Sequence, residues 1–288
     1  MSEQRSPAGE RSAIMPRPII FSDLDGTLLD SENYAFTAAL PALELVRARE
    51  IPLVICTSKT RSEIEYWRKR LNNVAPFISE NGGGIFVPPS YFSPDEIAAE
   101  WKKTERIDGY IVLVLGRPYH LLRKRLKELQ REGFDVRGFG DMGFTEIAEI
   151  TGLELEQVKL AKRREYDEPF VFTGGKERIR TLLDSIQEKG LQCAQGRLYH
   201  LTGDNDKGKA VEKLKRLYER KFDDIVTIGL GDSPVDFPML ERVDYPVLVR
   251  NYRGEHDRRI SLPNLIRSEG VGPEGWNKTV LELLSEGI

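Results

Sequence analysis

The chain has 288 residues, of which 31% are charged and 40% hydrophobic, and a net charge of −3. That balance is that of a globular protein long enough for two domains, and it offers no electrostatic case for nucleic acid or an anionic membrane as a partner. Two cysteines, Cys56 and Cys193, exclude a disulfide framework; both sit beside apolar residues, as reduced core cysteines do. Residues 1–15 lack the apolar centre of a signal peptide and read as a polar leader. No apolar run approaches the roughly 20 residues of a membrane span, so a cytoplasmic location is expected.

In chain order, "RPIIFSDL" is a continuous apolar run, which predicts a strand buried on both faces. Phe36, Leu40, Leu43 and Val46 recur at helical spacing. "IPLVICT" predicts a second buried strand, "RSEIEYWRKRL" a helix, and "PFISENGGGIF" a strand breaking into glycines. This β-α-β-α-β order is that of a doubly wound parallel sheet. "GYIVLVLG" then predicts a strand, and Leu121, Leu122, Leu126 and Leu129 mark a helix. Short strands follow at "EPFVFTG", "LQCAQG" and "RLYHLTG", with a helix over Ile179, Leu182, Leu183 and Ile186. From about residue 206, a helix carrying Ala210, Val211, Leu214, Leu217 and Tyr218 leads into the strand "DIVTIGLGD". The short helix "SPVDFPMLERV", the strand "YPVLVR" and a closing helix over "NKTVLELLSE" complete the chain. The expected fold is therefore α/β. A doubly wound parallel-sheet core (residues 16–87 and 202–288) carries an inserted α+β cap domain (88–201).

The first strand ends in two carboxylates, Asp23 and Asp25. Ligand and catalytic groups of open α/β sheets gather outside the carboxyl ends of strands, and residues i and i+2 of an extended chain point the same way. Asp23 and Asp25 can thus face one reacting centre, as a nucleophile and as a general acid and then base. Two other strand ends are polar: Thr57, Ser58 and Lys59 after the second strand, and Asp232, Ser233 and Asp236 after "GLG". Lys207 opens the helix before that late strand, where the helix dipole disfavours a cation. If these ends meet, several carboxylates share one site. Two unit charges 4 Å apart repel by about 4 kcal/mol at an effective dielectric near 20. Adding a phosphate dianion demands cations, and an all-oxygen donor set favours Mg²⁺ over Zn²⁺.

"DLDGT", the Thr57 strand end, Lys207 and "GDSPVD" resemble, in order, the four motifs of the haloacid dehalogenase superfamily. The long insertion between Thr57 and Lys207 resembles the cap of its Cof-type branch. The strings "TSKTRSEIE", "FISENGGGIF", "GFGDMGFTEIAEITGL", "AKRREYDEPF", "DKGKAV" and "GPEGW" are similar to the mannosyl-3-phosphoglycerate phosphatase family within it. The resemblance implies that Asp23 forms an aspartyl-phosphate, that Asp25 moves the proton, and that Thr57 and Lys207 hold the phosphoryl oxygens. It also implies Mg²⁺ on Asp23, the backbone carbonyl of Asp25 and Asp232, with Asp236 and Ser233 orienting that shell. The implied partner is a small phosphorylated sugar-glycerate. Lys59, Arg61 and the backbone of "NGGG", with Asn81 and Gly82, are candidates for its carboxylate, Ser58 for a further substrate contact, and Arg164 and Glu165 of "RREYDE" for its sugar or glycerate.

Each feature has a plainer reading. Asp23, Asp25, Asp232 and Asp236 could be turn or cap residues, Thr57 a helix N-cap, "RREYDE" a solvated turn and "ENGGG" a loop. His200 is expected to be structural. Rival functions are a phosphatase for glucosyl-3-phosphoglycerate, sucrose phosphate or another sugar phosphate, and a sugar phosphotransferase or mutase. A phospho-receiver also joins acids, a Thr and a Lys, but the 150 residues between Thr57 and Lys207 argue against it. Oligomeric state is left open.

Overall fold

The structure, a computed structural model, describes residues 16–288; the leader expected over 1–15 lies outside the described residues. In chain order the elements are β1 (Arg17–Ser22), α1 (Leu40–Ala48), β2 (Leu53–Cys56), α2 (Arg61–Leu71), β3 (Phe77–Ser79), β4 (Gly84–Val87), α3 (Pro94–Glu100), β5 (Glu105–Ile107) and β6 (Tyr110–Val114). Next come α4 (Tyr119–Arg131), β7 (Val136–Gly138), α5 (Phe144–Thr151), α6 (Leu155–Ala161), β8 (Glu168–Phe172), α7 (Ile179–Glu188), β9 (Gln192–Gln195) and β10 (Tyr199–Thr202). The chain closes with α8 (Lys207–Phe222), β11 (Ile225–Gly231), α9 (Phe237–Leu240), β12 (Tyr245–Arg250), β13 (Ile266–Val271) and α10 (Gly272–Ser285).

The larger sheet has nine strands in the order β13-β12-β11-β1-β2-β3-β4-β6-β5. Six strands from β13 to β3 run parallel, and β4, β6 and β5 extend the edge antiparallel. The run "PIIF" is apolar throughout because both faces of β1 are covered. Ile20 packs with α1, α2 and α10 through Val46, Trp67 and Trp276. Ile19 and Phe21 pack on the other face with α8 and α9 through Leu214 and Met239. The smaller sheet is antiparallel, β7-β8-β10-β9. One core joins it to α4 and α7 through Leu122, Leu126, Leu182 and Ile186; a second lies under α5 and α6 with Phe139, Ile147 and Val158. Burying each such leucine contributes about 1.5–3 kcal/mol.

Two expectations change. Strand β6, "YIVLV", hydrogen-bonds to β4 and belongs to the larger sheet, and α3 packs on α8. The smaller unit's chain therefore starts after Val114 rather than at residue 88, because the apolar β6 completes the first sheet's edge. The glycine run is not a broken strand: residues 80–83 form a tight turn that reverses β3 into antiparallel β4, with Glu80 and Asn81 at positive φ. The helices marked by Leu121 and Leu183 form, but these two leucines are themselves exposed, since only one stripe of α4 and α7 meets the small sheet.

Candidate active site

The carboxyl ends of β1, β2 and β11 converge with the N-terminus of α8. The end of β1 is pinned from behind: Trp276 Nε1 donates to Ser22 Oγ at 3.0 Å, and Ser22 Oγ donates to the Asp23 carbonyl at 2.7 Å. That contact explains "GPEGW", whose Gly275 leaves no room for a side chain; a Cβ there would lie 2.2 Å from the Gly270 carbonyl. Gly26 has φ +77°, and a Cβ on it would approach Asp232 Oδ2 to 2.8 Å, so glycine lets the chain turn against the acidic cluster.

Lys207 is the first residue of α8 and is buried. Its Nζ donates to Asp23 Oδ1 at 2.7 Å and to Asp236 Oδ1 at 2.5 Å. Burial opposes its charge, but these two carboxylates more than compensate and raise its pKa above the usual lysine range. The misfit with the helix dipole is thus resolved by two anions. Asp236 Oδ2 accepts from the Asp232 and Ser233 amides at 3.1 and 3.0 Å and from Ser233 Oγ at 3.1 Å, which shapes the loop after β11. Asp232 Oδ1 accepts from Thr27 Oγ1 at 3.2 Å.

After β2 the chain enters α2 through a capping box. Thr60 Oγ1 accepts from the Glu63 amide at 3.2 Å, and Glu63 Oε2 accepts from the Thr60 amide at 2.9 Å. This fixes Lys59 one residue earlier. Lys59 Nζ lies 2.7 Å from Asp25 Oδ2 and 3.6 Å from Glu63 Oε1, with the Tyr34 ring 5.1 Å away. Its charge is therefore shared by two carboxylates. Asp25 Oδ1 is buried and has no hydrogen-bond partner among the described residues.

Carboxylate oxygens of Asp23, Asp232 and Asp236 all lie within 4.8 Å of one another. Burial, with Lys207 opposing and Asp236 and Asp25 adding, pushes Asp23 up to about 7. Burial and the charges of Asp236 and Asp23 hold Asp232 well above the usual carboxylate range. Such affinity for a proton marks a deficit of positive charge that Lys207 alone does not fill. The donors are all oxygen, with no Cys or His in the cluster, so the residues fit a hard divalent cation.

These groups open into a cleft of about 700 Å³ between the two sheets, within the size range of small-ligand sites. Of the residues expected from sequence, Asp23, Asp25, Ser58, Lys59, Arg164, Lys207, Asp232 and Ser233 line it. Others do not. Thr57 is buried behind it, its Oγ1 accepting from the Lys59 amide at 3.4 Å. Arg61 and Glu165 face each other at 3.4 Å, and Arg61 also meets Asp108 at 2.8 Å, so these two charges neutralise each other away from the cleft. Asn81 Nδ2 donates to Asp167 Oδ2 at 3.0 Å. Gly82, at φ +86°, would place a Cβ 2.1 Å from the Asp206 carbonyl. The "NGGG" turn is thus a close approach between β3 and α8 and offers no open amides to a ligand. Arg164 reaches the cleft, but its Nη1 donates to the Ser58 carbonyl at 2.8 Å and its Nε to the Ala161 carbonyl at 2.7 Å. It ties the small unit to the β2 loop.

Sequence reasoning missed Tyr34, Arg197 and the loop after β12, whose Asn251, Arg253 and Arg259 also line the cleft. The last had an available signal: "NYRGEHDRR" follows a buried strand, as the other site loops do.

Comparison with known proteins agrees with this geometry. Residues 20–100 match the haloacid dehalogenase-like hydrolase family. The glucosyl-3-phosphoglycerate/mannosyl-3-phosphoglycerate phosphatase of Methanococcoides burtonii is 43% identical over 270 residues, covering 93% of this chain and 97% of that protein. The chain belongs to the haloacid dehalogenase-like hydrolases. The mannosyl-3-phosphoglycerate phosphatase of Pyrococcus furiosus is 37% identical over 244 residues, 84% of this chain and 95% of its own. A crystal structure of a Thermoplasma acidophilum protein superposes with a TM-score of 0.66 at 17% identity, covering 94% of this chain and 99% of its own; it supports the fold. Like those relatives, this haloacid dehalogenase-like hydrolase is a phosphatase. Among its described residues no helix is long and apolar enough to cross a membrane.

Proposed function

We propose that this phosphatase is Mg²⁺-dependent and converts mannosyl-3-phosphoglycerate to mannosylglycerate and phosphate through an aspartyl-phosphate on Asp23. The observation that carries the reading is the asymmetric environment of the two β1 carboxylates. Asp23 Oδ1 is held by Lys207 at 2.7 Å, and Oδ2 has no hydrogen bond among the described residues, so it is the oxygen available to phosphorus. Asp25 lines the cleft with its side chain 39% exposed; its Oδ1 is buried, so Oδ2, held by Lys59 Nζ at 2.7 Å, is the oxygen that faces the leaving group.

Asp23 attacks phosphorus as the bond to the glycerate oxygen breaks, and Asp25 delivers its proton to that oxygen. Asp25, now ionised, takes a proton from water as the water oxygen bonds to phosphorus and the Asp23–phosphorus bond breaks. Lys207 stays against Asp23 and the phosphoryl group and offsets their charge. Mg²⁺, held by Asp23, the Asp25 carbonyl and Asp232, would supply the remaining positive charge to the phosphoryl oxygens. Asp236 and Ser233 hold the loop that carries Asp232. The substrate assignment is supported by the activities for which the relatives are named. The Methanococcoides burtonii protein carries both sugar names, which favours glucosyl-3-phosphoglycerate as a second substrate.

A phosphate-release screen over mannosyl- and glucosyl-3-phosphoglycerate, sucrose phosphate and hexose phosphates tests this. The phosphoglycerate glycosides should rank first. A higher rate on sucrose or hexose phosphate would refute the substrate, and isomerised sugar phosphate without free phosphate would indicate a mutase.

A further inference from the structure

The cap side of the cleft has few polar groups with an atom to spare. Thr151 Oγ1 donates to the Ile147 carbonyl at 2.6 Å, and the Arg164 guanidinium is bonded to the Ser58 and Ala161 carbonyls. Arg197 is exposed at the tip of the β9–β10 hairpin. His200, on β10, differs from all of these. It is 8% exposed and lines the cleft. Its Nδ1 lies 2.7 Å from Asp167 Oδ2, while its Nε2 has no hydrogen bond among the described residues yet is not sealed from solvent.

Asp167 is fully buried, and its Oδ2 also accepts from Asn81 Nδ2 at 3.0 Å. The turn between β3 and β4 thus fixes Asp167, and Asp167 fixes His200. A carboxylate at Nδ1 takes the Nδ1–H tautomer, which leaves the Nε2 lone pair as an acceptor. The neighbouring wall is apolar: Phe139, Leu153, Pro169 and Leu198. An oriented acceptor set in an apolar wall suits a hydroxyl of a sugar ring, which offers a directional donor beside C–H faces.

We propose that His200 binds the sugar of the substrate, Nε2 accepting a hydrogen bond from a ring hydroxyl, and that Asp167 is its positioning residue. The inference rests on the sugar-phosphate reading above. The test compares phosphate release from the best sugar phosphate of the screen with release from p-nitrophenyl phosphate, which has no sugar. For His200→Ala, KM for the sugar substrate should rise about tenfold, the size of one neutral hydrogen bond, with kcat/KM for the aryl phosphate unchanged. Asp167→Ala removes the acceptor that holds Nδ1–H and with it the fixed ring orientation and tautomer, so it should raise the sugar KM in the same way. His200→Gln, which keeps an acceptor and serves if the alanine variant misfolds, should recover part of the affinity. Equal losses on both substrates, or no change on either, would overturn the role of His200 alone. A wild-type protein inert to every sugar phosphate would sink the substrate reading and this inference with it.

Discussion

Around one cleft, the nine-stranded sheet presents Asp23, Asp25, Lys207 and Asp232, whereas the four-stranded unit presents Phe139, Leu153, Pro169 and Leu198 with His200 among them. The first set sits at strand ends and a helix start, where the backbone of a buried sheet leaves little freedom. The second comes from turns, a hairpin and the two inner strands of a small sheet. In the proposed mechanism the charge that meets phosphorus is fixed by the rigid part, and the surface proposed to meet the sugar is built on the smaller part. On that reading the difference teaches that chemistry and selectivity can be altered separately.

The largest effect should come from the charged side. Asp23→Asn should lower phosphate release by at least about 10⁴-fold with circular dichroism unchanged, as loss of a nucleophile does elsewhere. Retained turnover would break the assignment. Packing provides the next contrast. Gly82→Ala drives a Cβ to 2.1 Å from backbone at φ +86°, whereas Gly152, in the small unit at φ +75°, meets nothing within 4 Å. Urea melts should therefore show a loss of more than about 3 kcal/mol for Gly82→Ala and only about 1–2 kcal/mol for Gly152→Ala. Equal losses would mean that the turn under α8 is not as rigid as the contact requires.

Metal and pH sharpen the comparison further. Between 3.8 and about 7 the native Asp23 holds a proton that the unfolded chain has released, so the metal-free protein loses stability as pH rises through that window. Asp232 is displaced in the same direction. In the proposed site Mg²⁺ would compete with those protons. At 100 times its Kd it adds about 2.7 kcal/mol, and the gain in Tm should be larger near pH 8 than near pH 5. A pH-independent gain would place the ion elsewhere, and full turnover in excess EDTA would remove it from the chemistry. The smallest effect concerns Lys59. Its contacts with Asp25 and Glu63 predict that Lys59→Met lowers kcat about tenfold on sugar and aryl phosphates alike. A KM rise confined to the carboxylate-bearing substrate would return Lys59 to substrate recognition.

The parallel core was legible because its signals are local. "PIIF" is apolar at every position since both faces are covered, and the boundaries of α2 follow from a capping box at Thr60–Glu63 and Asn72 at positive φ. Strands β5, β7 and β13 escaped notice: each is short or alternates polar and apolar residues, and each takes its identity from the partner it pairs with. Strand β6 was recognised as a strand but assigned to the wrong sheet, because a five-residue apolar run does not say which neighbour it will meet.

The same division runs through the cleft. The sequence by itself determined which residues carry charge at strand ends, and with them the acid cluster, its need for cations and the family. Those conclusions depend on residue type, spacing and the direction of a strand. Only the tertiary structure decided that Lys59 is bound to Asp25, that Arg61 and Glu165 are spent on each other, that the glycine turn is packing and that His200 faces the cleft. Each of these is a pairing between segments far apart in the chain. The identity of a partner, unlike the identity of a residue, exists only once the chain has folded.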